Sequence, residues 1–228
     1  NETEGGLTAS EFATCIRHYL GNLEKHDEII IYSDGCTYHN RKTVLANALQ
    51  QFATSTGTTI QHKYLVRGHT HMEVDNSHSL IERARKDRTI NVPYDNVEVM
   101  KSARKSHSPF TVHYVTHDFF MDFTKIGPYT SIRPGKKHPD PTVTDVHCFK
   151  YTPEDNKGRR PIQYKLKFSD EWKDVPVPRD FAGKEVGQPG QLYHERLKIS
   201  NTNYDHLQSL KDVIGKDYHP FYDQLPYK

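Results

Sequence analysis

Three features of the chain predict an α/β fold. Helical and β-like hydrophobic periods alternate along residues 8–88, in the order helix, strand, helix, strand, helix. Two further β-like runs, 142–151 and 161–168, follow in the second half, separated by a polar loop. The chain of 228 residues is 34% apolar and holds 14 Tyr and 10 Phe, which is enough apolar surface to build a core without disulfide staples.

Thr8 opens the first helix, predicted over 8–23. With Glu11 it forms a T-x-x-E capping box, which satisfies free backbone N–H groups at the helix start. Phe12, Cys15, Ile16, Tyr19, Leu20 and Leu23 then recur at helical spacing. Residues 28–33 read Glu-Ile-Ile-Ile-Tyr-Ser. A continuous apolar run of this length predicts a strand buried on both faces, and Asp34-Gly35 stops it with a turn. A second helix is predicted over 42–55, with Val44, Leu45, Ala48, Leu49 and Phe52 as its buried stripe and Gly57 as its terminator. Residues 58–67 form the next strand, ending at Gly68. The third helix, 75–88, takes Asp75 as N-cap, Leu80, Ile81 and Ala84 as apolar positions, and Glu82 with Lys86 as an i,i+4 pair.

Alternation of this kind implies parallel strands joined by crossovers. Two parallel strands do not make a stable sheet, and position 1 is Asn rather than Met. The chain is therefore expected to be an excised or processed piece whose first strands lie upstream.

After residue 105 the pattern changes. A strand is expected over 110–116, a short helix over 118–125, and a Pro/Gly-rich stretch over 127–141. The runs 142–151 and 161–168 read as a hairpin with a long connection. Residues 174–190, with Pro176, Pro178 and Pro189, read as an extended linker, and 204–214 as a last helix. The predicted division is 1–105 for the alternating core and 106–228 for a β-rich extension with a C-terminal helix.

No window approaches the length of an apolar membrane span, and no signal peptide is expected from the first residues of the sequence. Cys15, Cys36 and Cys148 are odd in number and far apart, which argues for a reducing compartment rather than a disulfide framework. A net charge of +2 is too small to predict nucleic-acid binding by itself.

Candidate chemistry gathers at two strand ends. Asp34 lies at the carboxyl end of a predicted strand, where α/β sheets take ligands, although Asp before Gly is also a common turn former. The segment 68–82 holds His69, His71, Glu73, Asp75, His78 and Glu82. In a helix starting at Asp75, the side chains of Asp75, His78 and Glu82 share one face. Carboxylates and a histidine converging beside Asp34 would suit Mg²⁺ or Mn²⁺, and two such ions can activate water and stabilise a leaving phosphate oxygen. Ordinary roles compete: Asp75 as a cap, Glu82 as the partner of Lys86, His69 and His71 as surface residues. A zinc alternative uses Cys36 and His39 with His69 and His71, but lacks a second Cys pair.

Basic runs occur at Arg83, Arg85, Lys86 and Arg88; at Lys101, Arg104 and Lys105; at Arg133, Lys136 and Lys137; and at Lys157, Arg159 and Arg160. Such runs can neutralise phosphates, or can simply be solvated faces. Tyr and His interleave with them, which suits stacking on single strands.

Residues 31–41 (Ile-Tyr-Ser-Asp-Gly-Cys-Thr-Tyr-His-Asn-Arg) and 63–82 resemble a family of uncharacterised metazoan proteins, common in insects, that carries an RNase H-like domain derived from a transposase. Residues 162–165 and 204–207 extend the likeness over most of the chain. The resemblance implies an RNase H-like core lacking its first strands. Asp34 would end the fourth strand of that fold, and Asp75 or Glu73 would start its last helix. His69 and His78 would position a phosphate or water. The fold's first carboxylate would lie before Asn1. The implied function is metal-dependent cleavage or strand transfer on nucleic acid, DNA in preference to RNA. Asp34, Asp75, Glu73 and His78 would be catalytic, and Asp34, Asp75, Glu73, His69 and Glu82 would bind Mg²⁺ or Mn²⁺. The alternative is a domesticated, catalytically inactive module that binds nucleic acid or protein. Either reading implies an intracellular, nuclear protein with no membrane partner.

Overall fold

A computed structural model of the chain describes all residues except 37, 38, 67, 69, 70, 107, 136, 154–160 and 178–186. It is mixed α/β and divides into two compact units. The sheet unit comprises Leu7–Thr70 and Phe120–Leu192; the helical unit comprises Asn1–Gly6, His71–Phe119 and Tyr193–Lys228. Each unit draws on both sides of residue 105, so neither follows the predicted division at that point. Sheet pairing is the reason, because strands from the second half join those of the first.

The sheet unit begins with helix α1 (Ala9–Gly21), capped by Thr8 and Glu11 in the expected box. Its buried face differs from the predicted stripe. Ser10, Ala13, Thr14 and Leu20 are inside, while Cys15 and Tyr19 are exposed. Small residues let the chain pack close. The Ser10 hydroxyl accepts from the Phe123 amide at 3.0 Å and the Thr14 hydroxyl from the Met121 amide at 3.1 Å. Strand β1 (Glu28–Ser33) leads to helix α2 (Thr43–Thr56), which closes on Gly57 in the left-handed region at φ 74°. Strand β2 (Thr59–Tyr64) then pairs parallel with β1, Ile29 opposite Ile60 and Tyr32 opposite Lys63.

The predicted hairpin forms from β4 (Cys148–Tyr151) and β5 (Ile162–Lys165), and β4 lies antiparallel on β2. Strand β6 (Lys173–Asp174) completes a five-stranded sheet in the order β1-β2-β4-β5-β6. A separate pair joins β3 (Met121–Asp122) to β7 (Gly190–Gln191). No strand forms over 110–116, and a single 3-10 turn, His117–Phe119, stands where a helix was expected over 118–125.

Alternation decides which side of the sheet is core. Ile60, Tyr64, Phe149, Tyr151 and Ile162 are fully buried and cluster with Leu45, Leu49 and Phe52 of α2 and with Ala13 and Leu20 of α1. The opposite side begins at β1, which is an edge strand among the described residues. Ile30 is 42% and Tyr32 54% exposed, so the expectation of burial on both faces fails. An apolar run cannot by itself tell a central strand from an edge strand that keeps one face open.

The helical unit contains α3 (Glu73–Arg85), α4 (Asp95–Ala103), α5 (Asn201–Ser209) and α6 (His219–Asp223). Helix α4 lies where the sequence pattern announces no element, and α3 starts before the expected Asp75. The core of this unit is small: Ile199, Tyr222 and Leu225, with Val92, Leu207 and Phe221 packed around them. A polar knot supports it. Arg196 donates to Glu4 Oε1 at 2.7 Å and to Thr3 Oγ1 at 2.8 Å, while His117 contacts Glu4 Oε2 through its amide and Nδ1. Among the described residues, no helix is long and apolar enough to cross a membrane.

Candidate functional site

Asp34 stands where expected, exposed just past the carboxyl end of β1. Its Oδ1 accepts from the Cys36 amide at 3.1 Å and from Asn40 Nδ2 at 2.6 Å. These bonds make it the organiser of the turn that follows the strand. Below that turn lies Arg41, whose guanidinium sits 3.8 Å from the Tyr64 ring centroid. Arg41 donates to the carbonyls of Gly35, Val143 and Val146. One cation thus ties the Asp34 loop to the segment leading into β4.

Sequence reasoning missed the pair beside it. Ser33 Oγ and His62 Nε2 are 2.8 Å apart, and His62 Nδ1 faces the Tyr64 hydroxyl at 3.4 Å. That hydroxyl gives its one proton to the Asn40 carbonyl at 2.8 Å. The Ser33 hydroxyl likewise has a carbonyl acceptor, that of Asp34 at 3.0 Å, so the His62 tautomer sets which ring nitrogen donates. The pair has the spacing of a nucleophile and its base, but the electrostatics oppose that use. Burial, with the Arg41 charge adding to it, lowers His62 to about 3. A base held that low takes no proton at neutral pH. The pair holds the strand end instead.

The other predicted residues fall in the helical unit. Asp75 is the third residue of α3 rather than its N-cap, and its Oδ2 accepts from the Met72 amide at 2.7 Å. That is a capping role reached from inside the first turn. Glu73 opens the helix; Glu73, His78 and Glu82 are exposed, and α3 buries none of its residues. The spacing of Asp75, His78 and Glu82 does put them on one side of α3. Asp34 belongs to the other unit. His69 lies outside the described residues, so neither the metal set that included it nor the zinc alternative with Cys36, His39 and His71 has a described geometry. Among the described residues, no three His, Cys, Asp or Glu side chains are grouped to hold a metal.

Of the four basic runs, Lys157, Arg159 and Arg160 fall outside the described residues, as does Lys136. Arg83 and Arg85 end α3, and Lys101 lies in α4, where it pairs with Glu98 at 3.1 Å. A different basic cluster emerges from sheet register. On the side opposite the core, Tyr32, Lys63, Cys148 and Lys165 are successive neighbours across β1, β2, β4 and β5. The next row is Ile30, Gln61, Lys150, Gln163 and Asp174. The Lys150 and Lys165 ammoniums lie 4.4 and 4.7 Å from the Trp172 ring centroid, and that of Lys63 lies 5.6 Å from Tyr32. Among the described residues, none of these three ammoniums forms an ion pair.

Cys148, between Lys63 and Lys165 in its row, is almost wholly buried although it lies on the open side. Burial pushes its thiol up to about 11. Desolvation and then the Lys165 charge lower the Lys150 ammonium. The acidic members of this face are Glu28, engaged by Gln61 at 2.7 Å, and Asp174, engaged by Gln163 at 3.0 Å. The only signal for this cluster in the sequence is the alternate placement of Lys within three short β runs, and it becomes a cluster only when the strands are in order.

No family model, no curated protein and no solved structure matches this chain.

Proposed function

We propose that the chain is a nucleic-acid-binding module whose contact surface is the open face of the five-stranded sheet. The observation that carries this reading is a group of three lysines, Lys63, Lys150 and Lys165, that form no ion pair among the described residues and are drawn together by sheet register between Tyr32 and Trp172. Ammoniums without an ion-pair partner, drawn onto one face, gain when a phosphate backbone enters and its counterions leave. The parallel β1–β2 pair, with α2 as the crossover and α1 before it, supports the likeness to RNase H-like, transposase-derived domains. So does the outer edge of β1, which no described residue pairs. With that likeness comes a preference for DNA over RNA and a nuclear location, tested by comparing oligothymidylate with oligouridylate and by imaging the tagged protein.

The test of the module reading is salt-dependent binding of single-stranded and duplex oligonucleotides, without Mg²⁺-dependent cleavage. Replacing all three lysines by Gln should weaken binding and reduce the slope of log affinity against log salt by about 2 on a single strand, at ~0.7 for each phosphate no longer neutralised. An unchanged slope would refute the assignment.

Metal-dependent phosphodiester chemistry is the second reading, favoured by Asp34 at the carboxyl end of a parallel strand with Oδ2 outside its turn bonds. The described residues do not assemble a three-donor set, so no catalytic step is derived through a metal. Calorimetric titration of Mn²⁺, beside an Asp34→Asn, Asp75→Asn double variant, tests it. Binding that disappears in the variant supports a metal site, and absence of binding in both removes the reading.

A further inference from the structure

We infer that the open sheet face selects unpaired nucleic acid, with Tyr32 and Trp172 as stacking surfaces on either side of the lysine group. This rests on the nucleic-acid reading above and names its substrate class. Three observations carry it.

The first is placement. Tyr32 is on β1, and Trp172 lies against lysines of β4 and β5. Neighbouring strands are about 4.8 Å apart, so the row from Tyr32 to Lys165 spans roughly 14 Å. Sheet faces that carry aromatic side chains at this scale stack about two or three bases.

The second is the state of the aromatics. Tyr32 is more than half exposed although it belongs to a regular strand, and Trp172 is partly exposed. Phe168, whose carbonyl accepts from Lys165 Nζ at 3.4 Å, is itself 52% exposed. Each ring meets lysine ammoniums, Tyr32 that of Lys63 and Trp172 those of Lys150 and Lys165, and still keeps part of its surface open to solvent, where a base can stack. A base is planar, and the phosphate attached to it meets the ammonium beside the ring.

The third is charge arrangement. The lysines occupy the middle of the face, whereas Glu28 begins the edge strand β1 and Asp174 ends the edge strand β6, each held by a glutamine. Glu28 and Asp174 bear on Lys150, whereas the row Tyr32, Lys63, Cys148 and Lys165 holds no carboxylate, so a backbone following that row meets ammoniums between the two rings. A duplex keeps its bases stacked on one another and cannot offer them to a flat sheet. It would gain only from the charges.

Trp172 is the single tryptophan of the chain, so the protein carries its own reporter. The experiment titrates the full chain with a twelve-nucleotide oligothymidylate, a duplex of equal length and polyglutamate, following Trp172 emission and the anisotropy of a labelled probe. The expected result is quenching of Trp172 by oligothymidylate. Tyr32→Leu and Trp172→Leu are each expected to weaken the single strand about tenfold, the order of one base–aromatic stack, and the duplex less than about twofold. Tyr32→Leu is a surface exchange on an edge strand, and an unchanged circular dichroism spectrum and melting midpoint certify its fold.

Equal affinity for both nucleic acids with unchanged Trp172 emission overturns the stacking inference and leaves the module reading standing. No binding of either nucleic acid overturns the module reading itself. Saturable binding of polyglutamate alone overturns both and identifies the occupant as an acidic protein segment.

Discussion

His62 offers a direct test of the electrostatics at the end of β1. It is 1% exposed, and its folded-state pKa falls from 6.5 to about 3, first by burial and then by the Arg41 charge. The unfolded chain takes up a proton at this residue as pH drops through 6.5, whereas the native chain does so only near 3. Between those values the unfolded state binds more protons. Stability is therefore full above about pH 6.5 and drains away as pH falls toward 3, at ~1.4 kcal/mol per pH unit. The carboxylates with lowered pKa, Glu4, Asp118, Asp122 and Asp145, start from ordinary values of 4.5 and 3.8. Their losses come below about pH 4.5, so the part of the loss above that pH that vanishes in a His62 variant is the share of His62. Over the roughly two units from 6.5 to 4.5 the sheet unit should lose about 2 kcal/mol through this residue. The assay is urea unfolding followed by Trp172 fluorescence across this range, in the native chain and in His62→Gln, which keeps a polar group toward Ser33. The variant should start less stable and then change by less than about 1 kcal/mol over the same range. Parallel pH profiles for the two proteins would refute the assignment of a neutral, buried imidazole.

Other consequences are as direct. Phe149→Ala, at a fully buried position in the middle of the sheet, should cost about 3 to 5 kcal/mol, measured as a shift of the urea midpoint. Asn47 bonds both the carbonyl and the amide of Tyr129, at 2.8 and 3.2 Å. Asn47→Ala leaves both groups buried without a partner and should cost about 2 kcal/mol, read from thermal unfolding; an unmoved melting midpoint would contradict it. Cys148, with its thiol pushed up to about 11 by burial, should resist an aromatic disulfide reagent in the folded protein and react only on unfolding. Exposed Cys15, although burial and the Glu11 charge raise its thiol too, should be labelled before Cys148.

Much of the sheet unit is legible in the sequence because local rules and packing agree there. The Thr8–Glu11 box, the Val44–Phe52 stripe and the Gly57 stop each act within a few residues, and each reappears in the structure. The hairpin of β4 and β5 is legible for the same reason. What fails is long-range. The run Ile29–Ile31 reads alike whether a strand is central or at an edge, and only the pairing of β4 with β2 shows where the sheet continues. Helix α1 buries Ser10 and Thr14 because they satisfy the backbone at and just after β3, across more than a hundred residues that no periodicity spans. Asp34 is found from its place at a strand end, yet its turn bonds to Cys36 and Asn40 require coordinates. Lys63, Lys150 and Lys165 are scattered over the sequence, and register alone collects them.

The interleaving of the two units bears on how the chain can be made. The Thr3 carbonyl accepts from the Leu197 amide at 2.8 Å, and Glu4 holds Arg196, so the helical unit is closed by bonds between residues nearly two hundred positions apart. A ribosome delivers the whole sheet unit before residues 193–228 appear. Until then the residues that pack around Ile199, Tyr222 and Leu225 have no core to join, and the closure carries the slow, high-contact-order step of folding. A chain cut at residue 105 would divide both units at once. A useful shorter piece would have to be a circular rearrangement or an excision of 7–192 with its own internal gap bridged, and the sheet unit is the half that such surgery could rescue.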